Sequence, residues 1–233
     1  QDGAIGDVVA GQIYWNGSAL WHRGDKPEWS EMEYQCRNWY YFCWLSGDHI
    51  VEQHLHNFDV ANWIIGTHPV SAMGVGGRQG RTNPMYGNIY DHFAIDYEYP
   101  DNVHVMSMCR QLSGEYDNKI GEFMVGTKGK ADPKGVILGQ NQWKFTEKDN
   151  MPYEQEHTDL IESIRTGKPV NETKNVAYST LTAIMGRESA YTGKTITWDE
   201  IMNSDLDLRP DGYTMDTIPP KRPVPIPGQP RPR

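Results

Sequence analysis

Apolar and polar residues alternate through the middle of the chain. In "HFAIDYEYP" at 92–100 and "VHVMSMCRQ" at 103–111, apolar side chains fall at nearly every second position, which is the period of a half-buried strand. The turn residues of "YPDNVH" between them predict a hairpin. Since the strands follow one another without helical crossovers, the pattern predicts an antiparallel sheet. The other predicted strands cover residues 7–15, 70–77, 119–129 and 135–146.

Helical periodicity occurs before and after this block. Residues 51–65 carry an apolar stripe at helical spacing that ends at Gly66, so one continuous helix is predicted there. Residues 153–167 and 171–193 predict two further helices, each ended by a glycine. Asn171 is a candidate cap of the second of these helices.

The segment at 30–47 is rich in aromatic residues and has no clear period. Ser30 is suited to cap a helix, and Glu33 stands three residues later, where it can complete a capping box. We interpret this segment either as a short helix or as irregular structure.

The residues near the C-terminus are much richer in proline than the rest of the chain. More than half of the 15 prolines follow Asp205. We therefore predict that residues 1–205 form one domain and that residues 206–233 form an extended arm or a wrapper packed on it.

The composition narrows the classes of partner. The net charge of −9 disfavours binding to phosphate backbones, so we expect no nucleic-acid partner. No stretch approaches the ~18 apolar residues of a membrane span, so we expect no membrane partner. The cysteines at 36, 43 and 109 form no Cys-x-x-Cys pair, which favours buried free thiols over a disulfide or a zinc site.

Two glycine-rich stretches do not fit nucleotide binding. "GVGGRQG" at 74–80 has Gln79 where the dinucleotide fingerprint needs a glycine, and no helix is predicted to follow it. "GTKGKAD" at 126–132 lacks the spacing of a phosphate-binding loop. We therefore expect no cofactor-binding residue within this chain.

One line of polar side chains is a candidate for chemistry. On a continuous helix Glu52 and His56 are four residues apart and share a face, with Asp59 and Trp63 further along it. A carboxylate one turn from an imidazole raises the proton affinity of the ring, which suits an acid/base acting on an alcohol or carbonyl. A satisfied polar pair without chemistry is the alternative. A metal site is disfavoured because this line offers only two ligands.

Four stretches carry a family resemblance when they are taken together. They are "GAIGDVV" with the Tyr-Trp strand after it, "ExxxHNFDVANWIIGTHP", "EHTDLIESIRTGKPVNE" and "NVAYSTLTAIMGRESAYTGKTITWDE". Over residues 1 to about 200 the chain resembles the C-terminal domain of the Gfo/Idh/MocA oxidoreductases, the relatives of glucose-fructose oxidoreductase and inositol dehydrogenase. The resemblance implies an α+β fold, a large open and mostly antiparallel sheet with helices packed on one face. It also implies an upstream Rossmann domain that binds NAD or NADP, and a homo-oligomer formed through the sheet.

The resemblance also assigns roles within the polar line. The family's Asp-xxx-His motif falls on Glu52 and His56, so His56 is expected to exchange a proton with a substrate hydroxyl and Glu52 to orient it. Asp59 and His54 are grouped with the substrate-binding candidates. Glu52 departs from the family's aspartate, and His54 stands where glycine is usual. These departures point to a different sugar or a different chemistry.

The aromatic segment supplies further substrate-binding candidates. Tyr34, Arg37, Asn38 and Trp39 combine hydroxyl-binding groups with rings that can stack on a sugar face. An ordinary aromatic core segment is the alternative interpretation.

We expect this chain to be the substrate-binding and assembly domain of an NAD(P)-dependent oxidoreductase acting on a sugar or polyol hydroxyl, and to be inactive by itself. The alternatives are a stand-alone carbohydrate-binding or scaffold domain, an NAD-dependent relative that cleaves or epimerises glycosides, and a metal-dependent hydrolase. Any targeting segment is expected to precede Gln1, which leaves bacterial cytoplasm and periplasm both open.

Overall fold

The computed structural model describes residues 3–132, 135–148 and 150–230 of the chain. The outer ends of the two predicted ranges, at 1–2 and 231–233, lie outside the described residues. The strands are β1 (Val8–Ser18), β2 (Ser71–Gly77), β3 (His92–Tyr99), β4 (Val103–Leu112), β5 (Lys119–Gly126), β6 (Gly129–Asp132), β7 (Val136–Gly139), β8 (Trp143–Lys144) and β9 (Ile196–Thr197).

The helices occupy two blocks of the chain, one before β2 and one after β8. They are α1 (Glu31–Arg37), α2 (Cys43–Ser46), α3 (His49–Glu52), α4 (Leu55–Ile65), α5 (Pro152–Thr166), α6 (Thr173–Thr192) and α7 (Trp198–Met202). Single turns of 3-10 helix lie at Trp39–Tyr41, Pro84–Tyr86 and Pro100–Asn102.

The strands form one open sheet in the order β8-β7-β6-β5-β1-β4-β3-β2-β9. Neighbouring strands are antiparallel except β1 and β4, whose parallel ladder runs from Ala10 opposite His104 to Ser18 opposite Leu112. The exception arises because β1 is separated from β4 by the helical block and two other strands, and enters the sheet between β4 and β5. A long connection of this kind is what a parallel pair requires.

Helices α4 and α6 cover one face of the sheet. Helix α4 contacts β1 and β5, and α6 contacts β2 and β3. Along β4 the side chains alternate, so that Val105 and Cys109 are buried whereas Met106 and Met108 face solvent. This arrangement confirms the expected α+β fold with helices on one face of a mostly antiparallel sheet. Large buried side chains of the core include Ile13, Phe58, Ile95, Tyr97 and Met124.

Three details of the predicted strands are wrong. The segment at 119–129 is not one strand, because β5 ends at Gly126 and the chain turns back so that β6 pairs with β5 from Gly129. The segment at 135–146 is not one strand, because Gly139 adopts a φ of 135° and the chain turns back to pair β8 with β7. The short β9 and the helix α7 after it have too few residues to show a period, and the sequence pattern missed both. In contrast, α5 and α6 begin and end within two residues of their predicted bounds.

Of the predicted helix caps, the one at Ser30 is present. Ser30 Oγ accepts a hydrogen bond from the Glu33 N–H at 3.2 Å, which confirms a short helix in the aromatic segment. The capping box is only half formed, because the Glu33 carboxylate accepts instead from Arg37 Nε at 2.8 Å. The predicted cap of α6 is one residue off: Asn171 Oδ1 accepts from the Thr173 N–H at 3.1 Å, but the N-cap is Glu172, whose side chain makes no capping hydrogen bond.

The proline-rich tail lies against the body along several contacts. Tyr90 Oη donates to the Pro225 carbonyl at 2.9 Å, and the Gly228 N–H donates to the Thr192 carbonyl at 3.0 Å. These bonds agree with the wrapper interpretation, while the division at residue 205 stays a prediction. Among the described helices, none has both the length and the apolar character needed to traverse a bilayer.

Candidate active site

The helix predicted through the acid/histidine line is broken in its middle. Helix α3 ends at Glu52 and α4 begins at Leu55, so the prediction of one continuous helix is wrong. At the break the His54 N–H bonds to the His49 carbonyl, five residues back, at 3.2 Å. The insertion of the His54 side chain between the helix and the sheet accounts for this local widening.

His54 lies in the core. Its Nε2 is 2.8 Å from Ser107 Oγ on β4, and its Nδ1 is 2.8 Å from Asn57 Oδ1 on α4. The side chain is fully buried, and burial lowers the pKa of His54 to about 3, against a partial opposing effect of the Asn57 hydrogen bond. The imidazole is therefore neutral at physiological pH. The structure places His54 behind the candidate site and not on its surface.

His56 lies on the exposed side of the same turn. It is the second residue of α4, and its ring centroid is 5.8 Å from that of Trp15 on β1, with an interplanar angle of 34°. His56 is exposed, whereas Trp15 is partly buried against the core. An imidazole with solvent access beside an indole can meet a ligand that enters from outside.

Glu52 ends α3 beside the buried phenol of Tyr40. Burial raises the pKa of Tyr40, and the nearby carboxylates of Glu52 and Asp48 raise it further. The hydrogen bond of Glu52 within the described residues comes from Gln53 Nε2, at 2.6 Å. Its coupling to His56 stays a prediction.

Asp59 and Trp63, the remaining residues of the predicted polar line, lie further along α4. Ser179 Oγ on α6 donates to Asp59 Oδ1 at 2.6 Å, so Asp59 ties the two helices together. Trp63 is 63% exposed on the last turns of α4. The Asp59 carboxylate is therefore bound by α6, and its role in substrate binding stays a prediction.

The aromatic segment forms a separate group. Tyr34 Oη donates to the Met85 carbonyl at 3.3 Å and lies near His22. The Arg37 guanidinium pairs with Glu33 and stacks over Trp29.

Asn38 and Trp39, the two other candidates in this segment, make contacts within the fold itself. Asn38 is fully buried, and its amide bonds to the main chain of Arg23 and Gly24 at 2.8 and 3.0 Å. Trp39 packs against Trp21 and Tyr40. Trp39 thus contacts the phenol whose pKa Glu52 raises, and the binding roles of all four residues stay predictions.

The glycine-rich loop after β2 is occupied by the chain itself. The N–H groups of Gln79, Gly80 and Arg81 all donate to Asp91 Oδ2, at 2.8, 2.6 and 2.9 Å. These three bonds and the one from His92 lower the pKa of Asp91, although burial acts in the opposite direction. An internal carboxylate therefore fills the position that a phosphate would take in a nucleotide-binding loop.

Metal ligation finds no support in the described part of the chain. No group of three or more His, Cys, Asp or Glu side chains there is arranged to hold an ion.

Sequence reasoning missed three residues of this region. Asn57 Nδ2 donates a short hydrogen bond to Glu122 Oε1 on β5, and Trp15 supplies the indole beside His56. The signal for Glu122 was available, because it interrupts the apolar side chains at Ile120 and Met124 on the same face of a strand.

Comparison with known proteins identifies the fold. Neither the protein-family models nor the curated proteins gave a match. The aldose-aldose oxidoreductase from Caulobacter crescentus, solved with glycerol, superposes with a TM-score of 0.61 at 18% identity over 84% of this chain and 57% of that chain. Myo-inositol 2-dehydrogenase from Lactobacillus plantarum superposes with a TM-score of 0.58 at 15% identity, covering 84% of this chain and 58% of that one.

A third structure includes a cofactor. Scyllo-inositol dehydrogenase from Lactobacillus casei, solved with NAD(H) and scyllo-inositol, gives a TM-score of 0.55 at 15% identity over 84% of this chain and 58% of that one.

The described chain thus has the fold found in part of the Gfo/Idh/MocA-type oxidoreductases, and the predicted resemblance is confirmed at the level of the fold. It spans less than two thirds of the length of each of these structures.

Proposed function

We propose that this chain is the substrate-binding domain of an NAD(P)-dependent oxidoreductase that acts on a hydroxyl of a sugar or polyol. The observation that carries the proposal is the exposed His56 beside Trp15, on a fold shared with enzymes named for aldoses and inositols. An imidazole suits proton exchange with an alcohol near neutral pH. An indole face provides the apolar platform on which a sugar ring packs.

His56 would take the proton from the substrate hydroxyl as the carbon that bears it is oxidised. Trp15 would hold the ring of the substrate, and Glu52 would bind a neighbouring hydroxyl. The glycine-rich loop does not fit a dinucleotide because Asp91 already accepts its N–H groups. NAD or NADP would therefore be held by residues outside this chain, and no step of the proposal depends on where it lies.

We further propose that the open face of the sheet joins two copies of the chain. Met73, Val75, Met106 and Met108 lie on neighbouring strands of that face and are 39–65% exposed. Contiguous apolar side chains of this kind mark an interaction surface. Sedimentation of the wild-type chain and of Met106→Glu tests this assembly, with a shift to monomer expected for the variant.

Steady-state kinetics test the proposed reaction. The protein expressed from its complete coding sequence is assayed with NAD⁺ or NADP⁺ and a panel of aldoses and inositols, by absorbance of the reduced cofactor. We expect His56→Ala to lower kcat by about 10²- to 10⁴-fold, the usual contribution of a general acid/base. His157→Ala, an exposed histidine on α5, is the matched control and should leave kcat unchanged. Equal activity of the two variants contradicts the assignment, and sugar binding without any turnover supports a carbohydrate-binding domain instead.

A further inference from the structure

A buried chain of four polar side chains crosses from the centre of the sheet to the candidate site. It links Ser107 on β4, His54 at the helix break, Asn57 on α4 and Glu122 on β5. The first three side chains are at most 2% exposed, whereas Glu122 is partly exposed at the outer end. The chain therefore starts in the core and ends at a carboxylate that solvent can reach.

The direction of each hydrogen bond follows from the carboxylate at its end. Ionised Glu122 only accepts, so the Asn57 side chain must present its NH₂ group to Glu122 and its oxygen to His54. His54 then donates from Nδ1, and its unprotonated Nε2 accepts from the Ser107 hydroxyl. The neutral state of His54 agrees with this order, because a protonated ring could not accept from Ser107. One tautomer of His54 and one orientation of the Asn57 amide thus give every side chain of the chain a hydrogen-bond partner.

Glu122 is placed on the same side of the sheet as the candidate site. In the ladder between β1 and β5 it pairs with Ile13, and the next pair on that face is Trp15 with Ile120. Asn57, which bonds to Glu122, directly follows His56 in α4. The strand register and the Asn57 hydrogen bond therefore both place Glu122 near Trp15 and the first turn of α4.

The carboxylate of Glu122 accepts a hydrogen bond from the Asn57 side chain. Within the described part of the chain it takes part in no ion pair. A carboxylate at the edge of an apolar layer costs free energy unless its oxygens find donors. Asn57 supplies one donor to Oε1, and the hydroxyl groups of a ligand are suited to supply others.

We propose that Glu122 is a specificity-determining residue that binds a hydroxyl of an uncharged sugar or polyol and repels sugar acids. Asn57 and His54 are positioning residues that aim its carboxylate. This inference rests on the proposed function, because it places Glu122 beside the same substrate that His56 would act on. An uncharged polyhydroxyl ring donates to the carboxylate, while a substrate carboxylate near it meets like-charge repulsion.

Kinetics of Glu122→Gln in the complete protein test the proposal, with myo-inositol, D-glucose and D-glucuronate as probes. Glutamine can still accept from Asn57 but has no charge. We expect KM for the best uncharged probe to rise about 10- to 100-fold, the loss of one hydrogen bond to a charged group, with a smaller change in kcat. The preference for that probe over D-glucuronate should fall by at least the same factor. Glu162→Gln, which changes an exposed carboxylate on α5, is the matched control.

The outcomes separate this inference from the proposed function. Unchanged KM and selectivity in Glu122→Gln, with kcat lost in His56→Ala, contradict the role of Glu122 and leave the function standing. No turnover of any probe by the wild-type protein contradicts both. The positioning role has its own readout in the ¹⁵N shifts of the His54 ring. We expect a protonated Nδ1 and an unprotonated Nε2 between pH 5 and 8, and the opposite tautomer overturns the proposed order of the chain.

Discussion

The buried imidazole of His54 gives the folded state a specific dependence on pH. Burial holds its folded pKa at about 3, against an ordinary value of 6.5 in the unfolded chain. Below pH 6.5 the unfolded state therefore binds a proton that the folded state does not bind. The stability associated with His54 is fully present above pH 6.5 and is lost progressively as the pH falls toward 3.

The size of this effect follows from the pKa difference. Each pH unit in that window lowers the free energy of unfolding by about 1.4 kcal/mol for one proton. Between pH 7.5 and pH 4.5 the chain spends two units below 6.5, so His54 alone should account for a loss of about 2 to 3 kcal/mol.

Urea unfolding of the wild type and of His54→Gln isolates this contribution. Glutamine does not titrate, so the stability advantage of the wild type over the variant should shrink by about 2 to 3 kcal/mol between pH 7.5 and 4.5. His157→Gln removes an exposed histidine and serves as the control, for which the difference should hardly change. An advantage over His54→Gln that is the same at both pH values would refute the assignment of a buried neutral His54.

Three substitutions test the packing around the sheet and its helices by urea or thermal unfolding. Gly186→Ala places a methyl group against the Tyr97 ring and hydroxyl and should destabilise the fold by about 1–3 kcal/mol; an unchanged midpoint would mean that α6 does not approach β3 so closely. Asp48→Ala removes a fully buried acceptor of four hydrogen bonds and should cost about 3–5 kcal/mol, whereas a loss below about 1 kcal/mol would contradict that network. Thr197→Ala opens the capping box with Glu200 and should cost about 1 kcal/mol, while Thr195→Ala nearby should be almost neutral.

The strands of the sheet could be predicted from the sequence where one face of the strand is apolar and the other is polar. In β3 and β4 the alternation from Phe93 to Cys109 matches the burial of the side chains. The parallel pairing of β1 with β4 could not be predicted from the sequence. The neighbours of a strand depend on the topology of the whole sheet and do not change the hydrophobic period of the strand itself. The break before α4 was also missed, since the apolar stripe continues across it and only the burial of His54 reveals it.

The predicted roles of the site residues stay predictions, but their positions in the fold can be compared with the sequence pattern. The sequence pattern placed Glu52 and His56 on one face of a single helix. In the structure Glu52 ends α3 and His56 lies in the first turn of α4. Trp15 and Glu122 come from strands far from α4 in sequence, one before it and one after it, and only the folded sheet brings them beside α4. Contacts of this range are set by tertiary structure and not by local periodicity.

A titration of the chain with myo-inositol, followed by NMR of its Trp and His rings, tests the location of the site most directly. The sequence has 8 Trp and 8 His, so the ring signals can be assigned by single substitution. Our account predicts that the signals of Trp15 and His56 shift together while that of His22, in the separate aromatic group, stays in place. Trp44 lines a cavity between α2 and the proline-rich tail. Shifts confined to Trp44, or to His22, would contradict the proposed site.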